Sequence, residues 1–276
     1  MAALTTKKVG DTVGAMVLDV DLDRLRHDDG LAEATLEALE ANGALIFRDV
    51  HLDDATQVAF SKRLGRVEVF GKGEHPEIFR VTLDPKKNPV AEYLRGTFDW
   101  HIDGMTEDIP IMATLLSAHA VAASGGETEF ASTYAAYDDL TDEEKGRFES
   151  VRVVHTLEAA QRLTNNNPSP QELATWRSRP AKVHPLVWKH RSGRRSLVLG
   201  ATTDNVVGLE PSKGRAFLDE LLARATGSGR VYQHKWEVGD LVIWDNRGVL
   251  HRACPYDAAS PRDMHRTTLF GDEPVQ

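Results

Sequence analysis

Asp240-Leu241-Val242-Ile243-Trp244-Asp245-Asn246-Arg247-Gly248-Val249-Leu250-His251 is the stretch whose reading decides the fold. It opens on an apolar run too short for a helix and bounded by turn residues, which reads as a buried strand. Asp245 stands at the strand end, where it suits a turn that aims the following His251. The same pattern of short strands recurs outward from this point, at 77–83, 112–121, 128–131, 151–156, 183–189, 196–199, 231–236 and 265–270. A further strand, 44–47, lies between two helices. The first helix, 31–41, is stopped by Asn42-Gly43; the second is capped by Asp53-Asp54 and ends at Leu64-Gly65. Two more helices are expected near 132–148 and over 211–225. Many short strands need a closed or sandwiched arrangement, because exposed edges are a liability. The expectation is a mainly β jelly roll with helices packed outside. Regular alternation of β and α is missing, which argues against a doubly wound sheet.

Lysine plus arginine number 33 against 42 aspartates and glutamates, a net charge of −9 that argues against a nucleic-acid partner. A small anionic substrate remains compatible, since it responds to the local pocket. Hydrophobic content of 41% supplies ample core for a single catalytic domain over 1–276. The lone Cys254 fits a reducing compartment and reads as a small buried residue beside the site strand. The N-terminal Met1–Lys8 stretch has no apolar core, and no run approaches the ~18 apolar residues of a membrane span. A cytoplasmic protein is expected, with self-association left open. Two stretches read as lid loops: 84–97, opening Asp84-Pro85-Lys86-Lys87-Asn88-Pro89, and 161–180, containing Asn167-Pro168-Ser169-Pro170.

The candidate chemistry starts from Trp100-His101-Ile102-Asp103. In extended chain, residues two apart project to one face, so His101 and Asp103 can share a ligand. His251 can join them only through the fold. Two imidazoles and a carboxylate suit ferrous iron that keeps positions open, although zinc also accepts that set. Asp245 is a rival acidic ligand, but its place at a strand end fits the turn better. His119, His155, His184 and His234 sit in strand-like runs as core or rim residues. Arg262 and Arg266 share a parity in the strand that follows, with His265 facing the other way. Two guanidinium groups inside a jelly roll are costly unless anions meet them. They imply two anionic molecules beside the metal, gripped by planar bidentate forks.

The chain resembles the taurine dioxygenase (TauD/TfdA) family of Fe(II)- and 2-oxoglutarate-dependent oxygenases, which includes phenoxyacetate dioxygenases. The resemblance rests on Val13-Gly14-Ala15, 44–49, Trp100–Asp103, Gly125-Gly126-Glu127-Thr128-Glu129-Phe130, Trp244–His251 and Arg262–Arg266, in family order along nearly the whole chain. It implies a double-stranded β-helix, the cupin-like jelly roll. It implies His101, Asp103 and His251 as iron ligands, with 2-oxoglutarate and O2 as cosubstrates. Arg262 would then hold the distal 2-oxoglutarate carboxylate with help from Thr128, and Arg266 would face the acidic group of the substrate. Succinate and CO2 would leave as a substrate C–H bond is hydroxylated. A carboxylate at Asp103 fills the position that a halide would need, which disfavours halogenation.

One departure narrows the substrate. Taurine dioxygenase carries a substrate-contacting histidine in the stretch aligned with 67–73, where this chain has Phe70 and Lys72 and no histidine. Taurine is therefore not expected. Phe70 gives the substrate a more apolar neighbour, and Lys72 is a further anion contact to test. Sulfonates, sulfate esters, aryloxy acids and amino acids stay open. Desaturation or cyclisation with the same cofactors is the second reading, and a non-catalytic metal-binding jelly roll the third. The intact His101, Asp103, His251 and Arg262 argue against the last.

Overall fold

Residues 241–245 form a strand, β13 in chain order, that is buried along its whole length in the computed structural model, which describes residues 4–276. Met1–Ala3 of the N-terminal stretch lie outside the described residues. The preceding strands are β1 Thr6–Lys8, β2 Ala15–Val17, β3 Ala44–Phe47, β4 Phe79–Val81, β5 Ile111–Ala120 and β6 Thr128–Ser132. Then come β7 Arg152–His155, β8 Lys182–Pro185, β9 Val187–Lys189, β10 Arg195–Leu197, β11 Thr203–Val206 and β12 Val231–His234. Past β13 lie β14 Val249–Ala253 and β15 Asp263–Phe270.

Both edges of β13 are used: it pairs antiparallel with β3 and with β5. The resulting sheet has seven strands in the order β1-β2-β3-β13-β5-β15-β4. Its two faces are both apolar, which explains the unbroken hydrophobic run. Leu241 and Ile243 point to one side, with Leu45, Phe47, Leu115 and Leu269. That side is covered by α1 Leu22–His27, α2 Leu31–Asn42 and α3 Asp54–Leu64, whose Leu25, Leu31, Leu39 and Phe60 complete the cluster. Val242 and Trp244 point to the other side, with Ile46, Leu116 and Met264.

There they meet Phe130 of β6 and Val249 of β14, members of a second sheet ordered β12-β6-β14. Two sheets closing over one apolar interior make the jelly roll. A third cluster lies behind the second sheet, where Ala131 and Leu250 pack with β9, β10 and helix α8 Pro211–Ala225. No helix among the described residues is long and apolar enough to cross a membrane.

The differences from expectation have local causes. The helix foreseen near 132–148 is two, α4 Thr133–Asp138 and α5 Asp142–Phe148, because Thr141 and Glu144 form a capping box that restarts the chain. The strand foreseen over 183–189 divides at Leu186 into β8 and β9, which join different sheets. The stretch 161–180 is not bare loop. It holds the end of α6 Leu157–Arg162 and all of α7 Pro170–Arg177, started by a Ser169–Glu172 capping box with proline in the first turn. Arg177 of α7 then grips the Glu158 carboxylate of α6 through Nε at 2.6 Å and Nη2 at 3.0 Å. The stretch 84–97 carries most of a 3-10 helix, Ala91–Phe98.

Candidate functional site

The turn after β13 is built by its own charges. The buried Asp245 carboxylate accepts from the Arg247 backbone N–H at 3.0 Å and from its guanidinium at 2.8 and 3.0 Å. Asp245 is thus committed to the turn and does not compete as a ligand. Gly248 is demanded by space: an added Cβ would lie 1.8 Å from the buried Tyr134 ring. That ring cannot swing away, for the Arg194 guanidinium lies 3.6 Å over it and His190 meets its edge. Gly248→Ala is expected to cost about 2–3 kcal/mol through overpacking. Thermal unfolding should show a fall in Tm on the order of 5–10 °C; an unchanged Tm would contradict it.

The turn delivers His251 onto β14, where it exchanges backbone hydrogen bonds with His101, N–H to O at 3.0 Å one way and 2.9 Å the other. This bridge sets the two imidazoles side by side, ring centroids 4.1 Å apart. Asp103 completes the group. One of its oxygens lies 3.7 Å from His101 Nε2 and the other 3.7 Å from His251 Nε2. The tautomer of His101 follows from its neighbour: Nδ1 donates to the Asp99 carbonyl at 2.8 Å, so the Nε2 lone pair faces Asp103.

A relay fixes the carboxylate. Thr114 Oγ1 donates to Asp103 at 3.0 Å, Asn246 Nδ2 donates to Thr114 Oγ1 at 3.0 Å, and Trp244 Nε1 donates to Asn246 at 3.2 Å. Burial alone would raise the Asp103 pKa, but His251, Arg266, His101 and the Thr114 hydroxyl outweigh it and hold the group ionised. Burial first, then the neighbouring His101, keeps His251 neutral. An ionised carboxylate and a neutral imidazole are the forms that bind a cation.

The same cavity, about 50 Å³, is lined by His101, His251, Thr128, Arg262, Arg266 and Thr97, among others. Arg262 is 2% exposed and its Nη1 has no hydrogen-bond partner. Its guanidinium lies 4.7 Å over the Tyr256 ring. Gly126, with φ +77°, leaves room for it, since a Cβ there would come within 3.1 Å of Arg262 Cδ and Nε. Thr128 Oγ1 accepts from Trp236 Nε1 at 2.9 Å, which frees its own proton to donate into the cavity. Arg266 has an unpartnered Nε and sits 4.8 Å over Phe79 and 5.5 Å over Phe70. A buried and a half-buried guanidinium, neither in a salt bridge among the described residues, share the cavity with the two imidazoles, and the charge of Arg266 also reaches Asp103.

The comparisons with known proteins bear on this arrangement. A family model described as "Taurine catabolism dioxygenase TauD, TfdA family" matches residues 5–268. The chain belongs to the TauD/TfdA family. An alpha-ketoglutarate-dependent 2,4-dichlorophenoxyacetate dioxygenase of Cupriavidus pinatubonensis is 34% identical over 95% of this chain and 96% of its own. An (S)-phenoxypropionate/alpha-ketoglutarate-dioxygenase of Sphingobium herbicidovorans is 32% identical over 95% of this chain and 93% of its own. Among solved structures, that of AAD-2 in complex with Mn(II) and N-oxalylglycine superposes with a TM-score of 0.83 at 30% identity, covering 99% of this chain and 100% of that one.

Within this TauD/TfdA-family chain, the fold brings His101, Asp103, His251, Thr128, Arg262 and Arg266 together. Phe70 flanks Arg266 from outside the ring of cavity-lining residues, its ring tilted against Phe79 at a centroid distance of 5.3 Å. Lys72 is exposed, in a bend. Cys254 is half-buried rather than buried, with its sulfur 3.6 Å from Gln233 Nε2. His155, His184 and His234 are buried in the core, and His119 is on the rim. Residue reading missed Thr114 and Asn246. Both lie in segments that were read correctly, but a polar side chain in a strand does not announce which carboxylate it serves.

Proposed function

We propose that His101, Asp103 and His251 hold Fe(II), that Arg262 and Thr128 grip the distal carboxylate of 2-oxoglutarate, and that Arg266 grips a carboxylate on the substrate. The chain is a 2-oxoglutarate-dependent dioxygenase acting on a small molecule. The observation that carries the residue assignment is the buried Arg262 and half-buried Arg266, each with a buried unpartnered nitrogen, lining one cavity with His101 and His251. The donor set fits iron: two neutral imidazoles and one carboxylate leave part of the coordination sphere free. Bound iron supplies the O2 chemistry, in which 2-oxoglutarate is split to succinate and CO2 while one oxygen atom enters a substrate C–H bond.

The chain's own residues bind and orient. Thr114 keeps Asp103 aimed, and the Asp99 carbonyl keeps His101 in the ligand tautomer. Arg262 neutralises a carboxylate in a dry pocket, where the pair is worth more than at a surface. Arg266 lies away from the metal cluster's tautomer and relay contacts, so its binding energy selects which C–H bond is presented. The Phe70 and Phe79 rings beside it favour an aromatic neighbour. We infer an aryloxy acid. Hydroxylation of the carbon next to the ether oxygen would give a hemiacetal that falls apart into a phenol and a carbonyl compound.

The cavity wall includes one of the two loop segments, and that segment touches the other. Thr97 is one wall, and Gly96 lies against Gln161 of α6. This supports the segments 84–97 and 161–180 as one lid on a single catalytic domain. The cytoplasm, where Cys254 stays reduced, is the compartment we assign.

Succinate formation screened across aryloxy acids, sulfonates, sulfate esters and amino acids tests the substrate assignment. Aryloxy acids should turn over best, with a phenol as product. A desaturated or cyclised product, or a preference for sulfonates, would overturn it. Arg266→Leu should raise the KM for the aryloxy acid on the order of a hundredfold, the loss of one cavity-facing charge pair, with the KM for 2-oxoglutarate within about threefold of the parent. An equal rise in both would contradict the division of labour.

A further inference from the structure

β15 carries chemistry on both faces. Arg266 and Met264 turn inward to the cavity, whereas His265 and Thr267 turn outward beneath α3, where Thr267 meets Ser61 at 2.7 Å. On that outer face, His265 lies in a second cluster with His119 of β5 and Asp54, the first residue of α3. One donor atom from each comes within 4.8 Å of the others. We propose that Asp54, His119 and His265 form a second cation site, for a borderline divalent ion such as Zn2+, back to back with the iron site across the sheet.

Three independent elements converge here, and a backbone irregularity helps. The β5–β15 register shifts between Asp263 and Met264, pairing Asp263 with Ala120 and Met264 with Ala118, so that His119 faces no partner residue. Its ring stacks on His265 at a centroid distance of 3.7 Å. The hydrogen bonds leave lone pairs available. Ser117 Oγ gives its proton to Gln57 Oε1 at 2.6 Å, so it can only accept from His119 Nε2 at 3.2 Å. The Nδ1 of His119 is then bare. Burial, then the adjacent His265, lowers the His119 pKa and favours that neutral form. His265 Nδ1 bonds to Asp54 Oδ1 at 2.5 Å. A cation entering here replaces that proton, which leaves to solvent, and makes Asp54 a ligand.

Two imidazoles and one carboxylate are the donors zinc accepts, and the exposed His119 leaves the remaining position to water. The same exposure gives its ring room to turn from the stack toward the ion. Such a site exchanges its ion with solvent and ties the start of α3 to β5 and β15.

The experiment removes the iron site and asks what binding survives. Full-length protein carrying His101→Ala and His251→Ala is titrated with Zn2+ alone by calorimetry. One equivalent should bind, and Tm should rise with added Zn2+. Adding His119→Ala, a change at an exposed position that leaves the core intact, should weaken binding on the order of a hundredfold or more, since even loss of an outer-shell partner costs about 10- to 100-fold. The control His51→Ala should leave binding as it was. No Zn2+ uptake by the double variant, or uptake that His119→Ala changes by less than about tenfold, would overturn the site.

Discussion

Asp103→Ala is expected to lower kcat/KM on the order of a thousandfold and also to destabilise the metal-free protein. The two effects have one cause. Asp103 is a mostly buried carboxylate whose ionised form is maintained by His251, Arg266, His101 and Thr114 against the cost of burial. Without a cation, those contacts exceed the cost of burial, so removing the carboxylate forfeits them and takes a negative charge away from Arg266. With Fe(II) bound as proposed, it would be one of three protein ligands. Losing a ligand should exceed the about 10- to 100-fold cost of losing a supporting partner such as Thr114. Fe(II) titration and thermal unfolding with and without the metal measure both sides. A variant that loses stability yet keeps Fe(II) affinity would make Asp103 a structural residue.

Arg262→Ala should raise the 2-oxoglutarate requirement by about 10²- to 10³-fold, with a much smaller change in the KM for the primary substrate. The guanidinium is 2% exposed, has an unpartnered Nη1, and lies over the Tyr256 ring with no carboxylate among the described residues in a salt bridge to it. Truncating one member of a buried charge pair costs about 2–5 kcal/mol, which spans that range. Arg262→Lys should recover only part of the loss, because an ammonium cannot reproduce the fork. The opposite split, with the primary substrate affected most, would mean that Arg262 and Arg266 have exchanged roles.

The parts of the fold legible in the residues were those where pattern and packing agree. The run Leu241–Asp245 reads as a buried strand because each of its sides has its own apolar cluster to fill. Asp245 was separable from the metal ligands because a carboxylate at a strand end has a local use, and Arg247 supplies it. What escaped was set by long-range pairing. β14 looks like two apolar residues and a histidine until β6 lies beside it. The edge strand β1 and its neighbour β2 are three residues each and carry almost no periodic signal. In 161–180, the polar and proline-rich composition hid a capping box that was written in Ser169 and Glu172. The candidate site was more legible than the fold, since His101, Asp103 and His251 stand in short motifs whose spacing survives without knowledge of the sheets. Thr114 did not, because its role depends on which strand faces residue 103.

The central claim is that one cavity holds both Fe(II) and the keto acid that Arg262 anchors. Anaerobic titration of the Fe(II)-loaded protein with 2-oxoglutarate tests it most directly, because chelation of the keto acid gives a weak visible charge-transfer band. The band should grow to saturation with the parent protein, need far more 2-oxoglutarate with Arg262→Ala, and be missing with Asp103→Ala. A parent protein that stays colourless, or an Arg262→Ala variant that saturates at the same concentration, would contradict the claim.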